Sequence, residues 1–140
     1  MLQSLRNSTK EYCKKCGEKY ENDDANNNIY WCRPCQIDIL KGNFTNWTSG
    51  NEKIDNFIQE MQLNIDHFDD IILEWIPYNQ FNDIKEIGTD SFATVYSAIW
   101  KDGPLKYIYK ELKYIRESKK IVFKCLPNSQ NNINELLNEV

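Results

Sequence analysis

The sequence predicts an α+β chain, and three observations carry that prediction. Two C-x-x-C pairs stand near the start, a helical apolar period occupies the middle, and β-type runs separated by turns fill much of the rest. At 140 residues the chain has the length of one ordinary domain, or of a small domain joined to part of another. With 41% hydrophobic and 13% aromatic residues it can support a packed core, although its mean hydropathy is −0.68. The net charge of −4 argues against non-specific nucleic-acid binding, so no nucleic acid is expected as a partner. No apolar run reaches the length of a membrane span, and Met1 to Lys15 carries no apolar signal core. The expectation is an intracellular, cytoplasmic chain with no membrane partner.

The cysteines are the first element in order. Cys13 and Cys16 form one pair, Cys32 and Cys35 the second, and 15 residues separate Cys16 from Cys32. This is the spacing of a four-cysteine zinc site. A two-residue gap lets both thiolates of a knuckle face one ion, and Gly17 permits the tight turn that aims backbone N–H groups at sulfur. Tyr12, Tyr20, Tyr30 and Trp31 can pack around such a site. A disulfide framework would require an export signal, which is not seen. A redox C-x-x-C would be expected within a βαβ pattern, which is also not seen. Four thiolates complete the ligand set, so the centre reads as structural, not catalytic. The fifth cysteine, Cys125, lies in an apolar β-type run and is expected to be a buried core thiol.

In the middle segment Ile54, Phe57, Ile58, Met61 and Ile65 recur at helical spacing, with Ser49 or Asn51 able to cap the helix and acidic residues early in it. Residues 46–80 carry one Lys and seven acids, whereas the segments on either side are each net +1. His67, the single histidine, stands among Asp66, Asp69 and Asp70 and reads as a surface residue. Further on, residues 81–100 read as two β-type runs around a short polar turn, Lys101-Asp102-Gly103-Pro104 makes another turn, and Ile121 to Leu126 is a third run. Asn128 and Ser129 are candidate caps for a final helix.

Several of these residues carry a resemblance. Gly88-x-x-x-Phe92-x-x-Val95-Tyr96 resembles the glycine-rich loop of protein kinases. Val122-Phe123-Lys124 is similar to the strand bearing their nucleotide lysine, and Leu136-Leu137-Asn138-Glu139 to the start of their regulatory helix. Upstream, Tyr30-Trp31-Cys32, Asn46-Trp47-Thr48-Ser49-Gly50-Asn51, Ile54-Asp55-x-Phe57-Ile58-Gln59 and Glu74-Trp75-Ile76-Pro77-Tyr78 resemble an expanded fungal family of protein-kinase-domain proteins. With the cysteine spacing and the charge shifts, the chain reads as a flexible start (1–10), a zinc-ribbon-like segment (11–45) and a helical connector (46–78), and the resemblance implies that 79–140 is a truncated small lobe of a protein-kinase-like fold. It further implies ATP and Mg²⁺ as ligands. Gly88 and Val95 would wall the nucleotide, Lys124 would meet its α- and β-phosphates, and Glu139 would hold Lys124.

The sequence departs from the kinase pattern in ways with physical consequences. Asp90 and Ala93 replace the second and third loop glycines. A side chain forced to positive φ costs roughly 1–2 kcal/mol. A carboxylate at about 6 Å from a phosphate charge repels it by on the order of 2–3 kcal/mol at an effective dielectric near 20. Val122 replaces a small alanine. Neither H-R-D nor D-F-G occurs, so no catalytic residue is assigned and the 140 residues alone are expected not to transfer phosphate. The alternative expectation is a non-catalytic zinc-binding interaction module, or a pseudokinase fragment, whose open lobe face is covered by a protein partner.

Overall fold

A computed structural model describes residues 12–24 and 29–125. The predicted flexible start, the C-terminal helix capped by Asn128 or Ser129, and Glu139 lie outside the described residues. The protein is a mixed α/β chain with two helices and only antiparallel sheets among those residues. No helix among them is long and apolar enough to cross a membrane. In chain order the elements are β1 (Glu21–Asp24), β2 (Ile29–Trp31), α1 (Arg33–Asn43), α2 (Glu52–Leu63), β3 (Phe81–Thr89), β4 (Thr94–Trp100), β5 (Leu105–Ile108), β6 (Lys113–Arg116) and β7 (Lys119–Cys125). They group into two compact units, one of residues 1–48, 59–73 and 105–115, the other of residues 49–58, 74–104 and 116–140.

The first unit carries the cysteines. β1 pairs with β2, and β5 with β6. α1 begins directly after Cys32, with Pro34 in its first turn, where the missing N–H costs no helical hydrogen bond. Its core joins Trp31, Leu40, Ile65, Ile72 and Tyr107, with Ile37, Phe44, Phe68 and Tyr114 packed on it. In the middle of this apolar set sits a fully buried amide, that of Gln36. Its Oε1 accepts the Trp31 indole N–H at 2.6 Å, and its Nε2 donates to the Tyr114 hydroxyl at 2.7 Å and to the Phe68 carbonyl at 3.3 Å. Arg33 donates to the carbonyls of Ile65 (3.0 Å) and Leu63 (2.8 Å), satisfying backbone acceptors at and just past the end of α2.

The second unit is built on a three-stranded sheet of order β3-β4-β7. Cross-strand partners share a face, so the register defines rows. Gly88, Val95 and Lys124 form one, Lys85, Ser97 and Val122 the next, and Asn82, Ile99 and Lys120 a third. The opposite face carries Ala98 and Trp100, both buried, and a stack in which Phe123 lies 5.2 Å from Phe81 and 5.5 Å from Tyr96 between ring centroids. Asn51 caps α2 as its sequence position suggests, its Oδ1 accepting the N–H groups of Lys53 (2.9 Å) and Ile54 (3.2 Å). Arg116 donates to the Gly103 carbonyl at 2.7 Å and pairs with Glu74 at 2.6 Å. Cys125 corrects one expectation. Its thiol is exposed, because it lies at the end of β7, and β7 is an edge strand among the described residues.

Two substitutions test these supports. Gln36→Leu keeps the volume but strands the buried Trp31 indole N–H, so it should cost about 1–3 kcal/mol in urea unfolding followed by tryptophan fluorescence. Gly103 has φ +74°, and a Cβ there would stand 1.6 Å from the Glu117 carbonyl oxygen. Gly103→Ala should therefore lose more than the roughly 1–2 kcal/mol of positive φ alone, read from the thermal midpoint.

Candidate metal centre

Three local structures bring the four cysteines together. The first knuckle is a turn closed by Gly17 N–H donating to the Cys13 carbonyl at 2.8 Å, with Gly17 at φ +77°. The left-handed conformation is one that glycine adopts without strain. A bridge between Tyr12 and Lys19 backs this turn. The second knuckle is formed where β2 ends and α1 starts, which puts Cys32 at the helix cap and Cys35 in its first turn. The third element is the turn between β5 and β6. Leu112, at φ +54°, packs with Tyr20 against Cys13, Cys32 and Cys35.

All four thiols are free, and their Sγ atoms lie within 4.8 Å of one another. Cys13 and Cys35 are 3.7 Å apart, and Cys16 and Cys32 are 3.4 Å apart. A tetrahedral zinc ion with Zn–S bonds of about 2.3 Å requires sulfurs about 3.8 Å apart. The cluster fits that ion, with Cys13, Cys16, Cys32 and Cys35 as its ligands. The surroundings fit as well. Burial pushes the Cys13 thiol up, but hydrogen bonds from the N–H groups of Cys16 and Lys15, with help from Cys32 and Cys35, bring it down to about 7. Burial pushes Cys35 up to about 11 and raises Cys32 further. The Tyr107 hydroxyl is buried with no hydrogen-bond partner among the described residues. Burial raises its pKa first, and negative charge at Cys35 next, so this orphaned donor lies in the field of the sulfurs.

The other candidate residues are on the sheet of the second unit. Gly88, Val95 and Lys124 stand side by side in one row across β3, β4 and β7. Gly88 has no positive φ, and a Cβ there would meet no atom within 4 Å, so its backbone does not need glycine. Val122 and Lys124 are exposed on the same face. The β3–β4 turn is closed by Asp90, whose Oδ1 accepts the N–H groups of Phe92 (2.9 Å) and Ala93 (2.7 Å). Its other oxygen pairs with Lys124 Nζ at 3.2 Å. The two N–H groups first, and then Lys124, hold the Asp90 carboxyl below its usual range. Sequence reasoning reads Asp90 as a charge facing phosphate; the structure adds that it neutralises Lys124. His67 is half exposed and 3.5 Å from Asp69, and among the described residues the four cysteines are the group placed to hold a metal.

No protein-family model, curated protein or solved structure matches the chain.

Sequence reasoning missed Gln36, Arg33, Leu112 and Tyr107, all of which support the centre or its unit. A glutamine directly after a knuckle cysteine has no pattern that marks it as buried.

Thiols whose pKa is raised hold their protons at neutral pH, so a metal must displace protons from Cys32 and Cys35. Affinity should therefore rise with pH through the neutral range and fall on acidification. Protein purified under reducing conditions should carry one zinc per chain by elemental analysis. The cobalt-loaded form should lose its thiolate charge-transfer absorption as the pH is lowered from about 7 to about 5. Metal content indifferent to all four Cys→Ser changes would refute the assignment.

Proposed function

We propose that the chain is a protein-kinase-like protein in which a structural zinc centre accompanies an ATP-binding small-lobe sheet. The observation that carries the reading is the row Gly88–Val95–Lys124, which sets a glycine, an apolar side chain and an ammonium next to one another beside a tight β-turn. An adenine needs an apolar wall, and phosphates need a cation and backbone N–H groups. The row supplies the first two. ATP would arrive with Mg²⁺, and Lys124 would meet its phosphates. Within these 140 residues the role is nucleotide binding, since no H-R-D or D-F-G occurs in them. Phosphate transfer to a protein hydroxyl is the activity proposed for the family resemblance as a whole.

A specific observation favours a second reading, a non-catalytic zinc-binding module or pseudokinase fragment that docks a protein partner. The Lys124 ammonium is already engaged by Asp90 at 3.2 Å, and a phosphate would have to displace that carboxylate.

Asp90→Asn separates the two. The amide keeps the Oδ1 acceptor that closes the turn and removes the charge. On the kinase-like reading, Mg·ATP binding to the zinc-loaded chain should tighten about tenfold, and the gain should shrink at high salt. Lys124→Ala should abolish the binding. Calorimetry that detects no nucleotide binding to either the parent or Asp90→Asn would leave the second reading standing.

A further inference from the structure

We propose that Cys16 is an oxidant-sensitive modification site of the zinc centre, and that its oxidation by a peroxide closes a Cys16–Cys32 disulfide and expels the metal. The inference rests on the zinc reading above and goes beyond a purely structural role. Cys13, Cys32 and Cys35 are buried at 2%, 1% and 5% exposure, whereas Cys16 is exposed. Tyr20 and Leu112 pack against the three buried cysteines. Cys16 instead ends the turn of residues 14–16, between exposed Lys15 and exposed Gly17. Of the four ligands, Cys16 is therefore the residue a small oxidant meets first.

The partner sulfur is already in place. Cys16 Sγ lies 3.4 Å from Cys32 Sγ, while Cys13 and Cys35 face each other at 3.7 Å. The zinc-bound Cys16 thiolate attacks one oxygen of the peroxide. The O–O bond breaks, an S–O bond forms, and hydroxide leaves, giving a sulfenic acid. The Cys32 thiolate then attacks that sulfur. The S–S bond forms, the S–O bond breaks, and a second hydroxide leaves, to be protonated by water. Two thiolates have lost two electrons, and the peroxide has gained them. Zinc, left with two thiolates, dissociates. The new bond ties the first knuckle to the start of α1, so the fold keeps a crosslink where it loses the metal. A dithiol reductant and zinc reverse the change.

The test uses the full chain, loaded with zinc under reducing conditions. Its metal content is measured first. Less than one equivalent would refute the zinc reading itself, and the oxidation proposal with it. The loaded chain then receives hydrogen peroxide, with released zinc followed by a chromogenic chelator and crosslinks mapped by mass spectrometry. Parent and Cys125→Ser chains should each release one zinc per chain as a Cys16–Cys32 crosslink appears. Cys16→His keeps a zinc ligand but cannot form the crosslink, and should release zinc at least about tenfold more slowly. Equal release from Cys16→His, or a first crosslink joining Cys13 to Cys35 or closing within one C-x-x-C, would overturn the proposal. The crosslink map of the parent decides the matter even if Cys16→His does not load zinc.

Discussion

The hydrogen bond from the Trp31 indole to Gln36, at 2.6 Å in a fully buried setting, is the constraint around which the cysteine-bearing unit is arranged. A buried amide without partners costs on the order of 1–3 kcal/mol, so its partners must be held where it can reach them. Gln36 reaches β2 through Trp31, the segment after α2 through the Phe68 carbonyl, and the β5–β6 pair through the Tyr114 hydroxyl. It also follows Cys35 directly. The phase of α1 that satisfies the amide is therefore the phase that turns Cys35 toward Cys13. Core packing and ligand geometry are fixed by the same helical turn.

The sheet of the other unit is governed by a carboxylate. Asp90 satisfies two N–H groups of its own turn and one ammonium on β7, which are three interactions from a single exposed side chain. A glycine at this position would leave the two N–H groups to solvent or to a ligand. The turn is thus closed from within, and any anion that binds there competes with a group already seated.

Much of this was legible in the sequence, for identifiable reasons. The four cysteines, Gly17, the Asn51 cap and the two β-type runs around residues 90–93 are local signals, each set by spacing or by one residue's backbone chemistry, and the structure has them where they were expected. The rest depends on contacts distant in sequence. α1 is not marked by the spacing of its cysteines, and Pro34 between them reads first as part of a knuckle. β5 and β6 are four residues each, too short to carry a period. Gln36 is polar and buried, against the general trend, and only Trp31, Phe68 and Tyr114 together explain it. Cys125 failed for a related reason: an apolar run indicates a strand, but it does not say whether the strand lies at an edge.

The path of the chain through its two units has an evolutionary consequence. The cysteine-bearing unit takes residues 1–48, 59–73 and 105–115, and the sheet-bearing unit takes the stretches between and after them. The backbone passes from one to the other five times, and neither unit is an unbroken piece of sequence. All four cysteines lie within the one stretch 1–48, but the side chains that pack on them and on their core do not: Leu112 and Tyr107 come from 105–115, and Ile65 and Ile72 from 59–73. A contiguous exchange of residues 1–48 would therefore carry the ligands without the side chains that cover them.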